Sequence, residues 1–264
     1  MLDQAPGHTT NELLRALPRG DYDLMRPALE RVPLKASRVL HHPRTPLAHV
    51  YFVEQGLVSV LTDVGEGQLV EAWLVGREGL AGAPAVLGAA VSRHRRIVHL
   101  GGSALRMRRE DLADAMNESP TLRAHLLDYA HLVLLQASQV GACNARHHVT
   151  QRLARWLLMA SDRCGESRLA LTQDTLSRML GVRRATVTQT VASLERRGLL
   201  RRARGAITIV DRGRLEGAAC PCYRILKAQF SRIPDLRVAR HGPATGAPAP
   251  RGLAGREGDG RLVS

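Results

Sequence analysis

Five side chains suited to reading DNA bases occur within the seven positions 183–189. They are Arg183, Arg184, Ala185, Thr188 and Gln189. An arginine can donate two hydrogen bonds to guanine, a glutamine can pair with adenine, and an alanine or threonine methyl can contact the thymine methyl. If these residues share the outer face of one helix, that helix has the chemistry to distinguish base pairs in a major groove.

The residues around this set predict the two helices that would hold it. Thr172 has a hydroxyl that can cap a first helix, and Gly181 suits the tight turn that follows it. Leu176 and Leu180 would face inward from the first helix. The second helix would bury Val187, Val191 and Leu194. Apolar residues at these offsets around one glycine are typical of a helix-turn-helix.

Three arginines follow in a segment that reads as a β-hairpin, and they predict contacts with phosphate. These residues are Arg201, Arg202 and Arg204, and the hydroxyl of Thr172 is a fourth phosphate-binding candidate. Residues 146–231 contain 17 Lys and Arg against six Asp and Glu, whereas residues 1–145 contain 15 of each. Positive charge confined to one segment favours a polyanion partner, and the base-reading set indicates double-stranded DNA.

The first half of the chain has the pattern of a β structure. Between residues 32 and 110, short apolar runs at 50–53, 56–61 and 69–75 are separated by turn-forming segments, including Glu54-Gln-Gly. Many closely spaced strands without intervening helices predict a barrel or jelly roll.

A long helix is expected after this region. Apolar positions recur in alternating steps of four and three residues, as in a coiled coil. The stripe comprises Leu122, Leu126, Tyr129, Val133, Gln136, Val140 and Cys143. The stripe could pack on the chain's own barrel or on the same helix of a second copy, and its strict repeat favours the second, a dimer seam.

The whole chain is therefore predicted to be an α+β protein with four parts. Residues 1–119 form an effector barrel, 120–145 a dimerisation helix, and 146–231 a winged helix-turn-helix that binds DNA. Residues 232–264 are rich in Gly, Pro, Ala and Arg, and a segment of that composition is expected to be disordered.

The chain resembles the cyclic-AMP receptor/Fnr (Crp/Fnr) family of transcription regulators. The resemblance rests on Tyr51-Phe52 with Gly56-Leu-Val-Ser, the turn-rich stretch 76–88, the long helix, and most specifically the segment 171–200. It implies a cyclic-nucleotide-binding-like jelly roll that senses a small-molecule effector. It also implies a homodimer on a pseudo-palindromic operator, with RNA polymerase as a protein partner.

The resemblance places an effector pocket at Gly82, Ala83, Arg95 and Arg96. Family members that bind cyclic nucleotides have a glutamate after the glycine to hold the ribose and an Arg-Ser or Arg-Thr pair to hold the phosphate. This chain has Ala83 and Arg95-Arg96 at those places, so an effector other than cyclic AMP is expected.

No other cofactor is expected from the sequence. The family's iron–sulfur sensors use a cysteine cluster near the N-terminus, and here no cysteine precedes Cys143. The histidines that could hold haem, such as His49, His94 and His99, are scattered without a ligation motif. Two pairs have the spacing of metal ligands, Cys143 with His147 and Cys220 with Cys222. Each pair alone is a weak signal, so we interpret the cysteines as reduced thiols and predict no metal.

Several other classes of protein are disfavoured. The sequence has no apolar run long enough to span a membrane and no secretory signal at its beginning, which predicts a cytoplasmic protein without a membrane partner. It has no HExxH, GxSxG or P-loop motif, so we do not expect an enzyme. The alternative function is a regulatory sensor subunit of the cyclic-nucleotide type that acts on another protein. The operator, the target genes and the direction of regulation do not follow from the sequence.

Overall fold

The structure, a computed structural model, describes residues 9–233. The first helices are α1 (Glu12–Arg15) and α2 (Arg19–Met25). The strands that follow are β1 (Glu30–Leu34), β2 (Val39–His41), β3 (His49–Asp63), β4 (Leu69–Val75), β5 (Leu80–Ala81) and β6 (Arg95–Arg108). A short 3₁₀ helix, Arg26–Ala28, precedes β1, and another, Ala83–Leu87, follows β5. We call this part, as far as β6, the sensor module.

The sensor module is built on one antiparallel sheet of six strands. The strand order is β1-β6-β3-β4, while β2 pairs with β6 and β5 pairs with β3. Within residues 9–233, β4 does not pair back to β1, so the predicted barrel is a jelly-roll sheet with open edges. Repeated register shifts between β3 and β6, from Val53 to Val58, bend these two long strands.

One of those bends replaces a predicted turn. The segment Glu54-Gln-Gly was expected to separate two strands, and it lies inside β3 instead. Gly56 has a φ of +90°, and a Cβ there would lie 2.4 Å from the carbonyl oxygen of Leu100 on β6. The glycine is needed because the two strands approach closely at the bulge. The chain continues as one strand through this point and does not reverse.

Three helices continue from the sheet: α3 (Arg109–Glu118), α4 (Pro120–Arg146) and α5 (Val149–Cys164). The side chain of Ser119 caps α4 by accepting a hydrogen bond from the backbone N–H of Leu122. His147 ends α4 in an extended conformation, and His148 caps α5. The break between the two long helices is therefore only two residues long.

The predicted seam of α4 is buried within the single chain. Leu122, Leu126, Tyr129 and Val133 belong to the same apolar core as the sheet. Val140 belongs to the second apolar core and Cys143 contacts Cys220. The stripe thus packs within the chain itself, and its first part packs on the sensor core, which was the less favoured of the two partners. Burial against a sheet and burial against a second helix require the same spacing, so the pattern alone could not separate them.

The remaining elements form the DNA-binding module, residues 149–230. After α5, its elements are β7 (Arg168–Leu169), α6 (Gln173–Leu180), α7 (Arg184–Arg196), β8 (Leu200–Ala203), β9 (Ala206–Ile209), α8 (Arg212–Ala218) and α9 (Cys222–Phe230). The three strands form a small sheet in the order β7-β9-β8. A second apolar core, centred on Trp156 and Leu157 of α5, joins the helices to this sheet.

The predicted tail, 232–264, lies outside the described residues from 234 onward. Ile233, at its beginning, is fully buried in the core of the sensor module. Ile233 therefore belongs to the folded core, although the predicted disordered segment includes it. Among residues 9–233, no helix has the combined length and apolar content that crossing a lipid bilayer requires.

Candidate nucleic-acid interface

The helix-turn-helix is formed by α6 and α7. The Thr172 hydroxyl accepts a hydrogen bond from the backbone N–H of Thr175 at 3.1 Å, so it caps α6 as predicted. Gly181 ends α6 with a φ of +62°. Because only glycine adopts this left-handed conformation at little cost, the chain turns there and α7 begins three residues later. The inward-facing residues of both helices are buried, namely Leu176, Leu180, Val187, Val191 and Leu194.

The turn also touches the sensor module. A Cβ at Gly181 would lie 3.4 Å from both methyl groups of Val70 on β4. Val70 is half-buried in this contact. The turn of the helix-turn-helix therefore packs directly on a strand of the sensor sheet.

The predicted base-reading residues share the solvent-facing side of the first turns of α7. Arg183, Arg184, Ala185 and Gln189 are exposed. Thr188 differs because its hydroxyl donates to Gln173 Oε1 at 2.9 Å and to the carbonyl of Arg184. Its hydroxyl thus links the two helices.

The predicted wing is the hairpin of β8 and β9, which turns at Arg204-Gly205. Arg201, Arg202 and Arg204 are all exposed. Arg202, however, forms an ion pair with Glu195 in the last turn of α7, and its backbone N–H donates to the same carboxylate at 2.8 Å. Arg202 therefore connects the wing to α7. Arg201 and Arg204 are more available for the predicted phosphate contacts.

A groove of about 330 Å³ joins the reading helix to the wing. Its lining includes Thr172, Gln173, Arg184, Arg202 and Arg204. The structure therefore brings together four of the predicted DNA-contacting residues from three separate elements. The other five predicted residues lie outside that lining: Arg183, Ala185, Thr188, Gln189 and Arg201.

Known proteins resemble this chain in sequence and in fold. Residues 151–218 match the family model of the Crp-like helix-turn-helix domain. The chain is 28% identical over 190 residues to transcriptional regulator SdrP of Thermus thermophilus, covering 69% of this chain and 90% of that protein. FixK2 from Bradyrhizobium japonicum has the same fold with a TM-score of 0.63 at 18% identity, covering 73% of this chain and 98% of that one. Residues 151–218 thus form a Crp-like helix-turn-helix domain, and the chain as a whole is similar to a transcriptional regulator.

A second solved structure has the same fold. A transcriptional regulator of the Crp/Fnr family from Thermus thermophilus has a TM-score of 0.54 at 24% identity, covering 72% of this chain and 98% of that one. The matched domain identifies α6 and α7 as part of a Crp-like helix-turn-helix, and the curated relative is a transcriptional regulator.

The predicted effector residues lie in the sensor module. Gly82 has a φ of +131° and begins the 3₁₀ helix, in which Ala83 is buried. Arg96 is almost fully buried, and its Nη1 donates to the hydroxyl of Ser92. Burial lowers the pKa of Arg96 to about 10, and its Nη2 has no hydrogen-bond partner among the described residues. Arg95 is half-buried.

Two buried carboxylates connect the sensor module to α5, and sequence reasoning missed both. Glu71 of β4 accepts hydrogen bonds from the Trp156 indole at 2.7 Å and from the Ser59 hydroxyl at 2.8 Å. Burial raises the pKa of Glu71 to about 7. Glu78 forms an ion pair with Arg163 at 2.6 Å. An acidic residue inside the apolar strand Leu69–Val75 was the available signal, because buried acids need partners.

The fold also unites the two cysteine pairs that the sequence left apart. The ligand atoms of Cys143, His147, Cys220 and Cys222 all lie within 4.8 Å of one another. Cys143 and His147 stand at the end of α4, whereas Cys220 and Cys222 stand at the start of α9. The fourth cysteine, Cys164, is not part of this group. These four residues are the candidates in the described chain for holding a metal ion.

Proposed function

We propose that this regulator binds a pseudo-palindromic operator as a homodimer, with α7 of each copy in the major groove. The observation that carries the proposal is the groove where Thr172, Arg184 and Arg204 converge beside the exposed face of α7. The excess positive charge of residues 146–231 supplies the electrostatic attraction. An operator-binding protein of this kind acts in the cytoplasm, with RNA polymerase as its expected partner.

Each surface residue then has a distinct role. Arg183, Arg184, Ala185 and Gln189 face the base edges, and the Thr188 methyl can meet a thymine. Thr172, Arg201 and Arg204 contact phosphates on either side, which fixes the position of α7 along the groove. Arg202 adds a weaker phosphate contact because Glu195 already shares its charge.

Replacing Arg184 by alanine is expected to cost about 1 to 3 kcal/mol per half-site and to relax the preference at one base pair. Arg201→Ala should instead weaken all sequences nearly equally and reduce the salt slope by about one unit. The measurement is a binding selection on randomised operators at two salt concentrations.

Arg224→Ala serves as the matched control, because Arg224 is an exposed arginine on α9. It should change neither the selected sequence nor the salt slope. An unchanged motif with Arg184→Ala, together with a changed motif for Arg201→Ala, would make the wing the reader and contradict the placement of α7.

The homodimer is proposed to form along the exposed face of α4. That face is a stripe of spacing four and three on the side opposite the sensor sheet: Leu127, His131, Leu134, Ser138 and Gly141. Leu134 is 57% exposed and Leu127 is 38% exposed, although both are large apolar side chains. A second α4 packed on this stripe would remove them from water.

The effector is proposed to be a small molecule bound near Gly82, Ala83, Arg95 and Arg96. Arg96 supports this location because a buried guanidinium with an unpaired Nη2 is suited to an anionic group. Ala83 restricts which anion can bind, because its methyl side chain offers no hydrogen-bonding group.

Cyclic AMP is expected to bind more weakly than in the micromolar range. Ala83 offers no carboxylate to the ribose, and a buried hydroxyl left without a partner costs about 1 to 3 kcal/mol. Titration calorimetry of the full chain with cyclic AMP measures this directly, and operator binding with and without the nucleotide gives a second readout. Micromolar or tighter binding would contradict the prediction.

A further inference from the structure

Three thiols and an imidazole meet where the end of α4 approaches the start of α9. Cys143 Sγ lies 3.4 Å from Cys220 Sγ, and Cys222 Sγ lies 3.6 Å from His147 Nδ1. All three cysteines are buried, and His147 is half-buried. None of these four residues is among the predicted DNA-contacting residues described above.

The surroundings of the thiols differ from those of cysteines that only fill a core. Cys143, Cys220 and Cys222 form a cluster of their own, separate from the two large apolar cores of the described chain. They therefore face one another instead of packing among leucines and valines. Buried thiols converging with an imidazole are the donor set that proteins use for zinc.

Two buried arginines of α5 supply positive charge beside this cluster. Arg152 and Arg155 are both close enough to act electrostatically on Cys143. The Nε atom of each has no hydrogen-bond partner in the described chain. A divalent ion held by three thiolates and a neutral imidazole carries one net negative charge, which these guanidinium groups would balance.

The spacing of the donor atoms fits one tetrahedral ion. Zinc–sulfur bonds of about 2.3 Å place two thiolates about 3.8 Å apart, and a thiolate and an imidazole nitrogen about 3.5 Å apart. The observed 3.4 Å and 3.6 Å are close to these separations. An iron–sulfur cluster needs more room, because several irons and sulfides must lie between ligands that here stand within 4.8 Å.

We propose that Cys143, His147, Cys220 and Cys222 bind one zinc ion as a closed four-ligand site. Gln139 supports the site, because its Nε2 donates to Cys222 Sγ at 3.1 Å and orients that ligand. The proposal departs from the sequence-based expectation of ordinary thiols, which treated each pair alone. Bound zinc would join the end of α4 to the start of α9.

The test uses the full chain, purified under reducing conditions, and measures metal content by mass spectrometry after desalting. We expect one zinc per chain. Co²⁺ added to the metal-free protein should give the sulfur-to-cobalt charge-transfer bands and the strong visible absorption of a tetrahedral thiolate site, and Zn²⁺ should remove them. Cys220→Ser and Cys222→Ser should each lower the charge-transfer intensity, because each removes one of the three thiolate ligands.

Cys164→Ser is the matched control because it removes a thiol outside the site, and it should retain one ion per chain. Gln139→Ala keeps all four ligands and should weaken metal affinity about 10- to 100-fold without changing the spectrum. If Cys220→Ser does not fold, as judged by circular dichroism, the cobalt spectrum of the unchanged chain and the Gln139→Ala affinity still decide.

Two results would overturn the proposal. One is a reduced, folded chain that retains far less than one zinc and gives no thiolate-to-cobalt bands. The other is a Cys143–Cys220 disulfide in the oxidised chain together with no metal in the reduced chain, which would make the cluster a redox pair. Neither result depends on whether the protein binds an operator.

Discussion

Replacing Arg163 by methionine is expected to lower the free energy of unfolding by about 3 to 5 kcal/mol. Arg163 forms a buried ion pair with Glu78, and both side chains are at most 8% exposed. Among residues 9–233, the change would leave the buried Glu78 carboxylate with the backbone N–H of Gly76 as its one remaining hydrogen-bond partner, at 3.1 Å. Water can compensate only in part for the lost guanidinium, because the Glu78 side chain is almost fully buried. The measurement is urea unfolding at neutral pH.

The double variant Glu78→Gln/Arg163→Met should recover much of this loss, because it removes the charge that the single change leaves unpaired. Arg178→Met provides the control. Arg178 pairs with Asp174 on the surface, where both side chains are 59% exposed, so its loss should cost less than about 1 kcal/mol. A destabilisation of the same small size for Arg163→Met would show that the buried pair is not needed.

Leu134→Glu is expected to weaken the dimer about a hundredfold, which corresponds to about 3 kcal/mol. The carboxylate would enter a helix seam that excludes water, without a partner to compensate its charge. Sedimentation over a range of concentrations measures the dissociation constant. The operator affinity should fall in parallel, because a monomer contacts only one half-site.

Val210→Glu is the matched control, since Val210 is 52% exposed at the end of the wing and lies away from α4 in the chain. It should leave the dimer intact. If Leu134→Glu sediments as the unchanged protein does, the dimer interface does not lie on the exposed stripe of α4.

The helix-turn-helix was predictable because its signals are local. Thr172 caps α6, Gly181 ends it, and the buried residues of α7 repeat at the helical period, all within one short segment. The wing was predictable for the same reason, since its two strands are joined by a short turn at Arg204-Gly205. The pairing of Arg202 with Glu195 was not predictable, because it depends on how the hairpin lies against the last turn of α7.

Long-range contacts account for what the sequence did not reveal. The heptad-like spacing of α4 correctly indicated a buried face, but the partner was the sensor sheet. The opposite face, with Leu127 and Leu134, carries fewer apolar residues and was overlooked. Cys143 and Cys220 are 77 positions apart, so only the fold could unite them. Glu54-Gln-Gly was read as a turn because a bulge uses the same residue types.

The contact between Val70 of β4 and Gly181 has a thermodynamic consequence. Because the two segments are in contact, we expect an effector that displaces β4 to move the turn between α6 and α7, and DNA that moves this turn to act back on β4. Such coupling is reciprocal: the factor by which an effector changes operator affinity equals the factor by which the operator changes effector affinity. Operator DNA can therefore serve as bait in a ligand screen: the proposed effector is expected to be a compound whose affinity for the protein changes when the DNA is added.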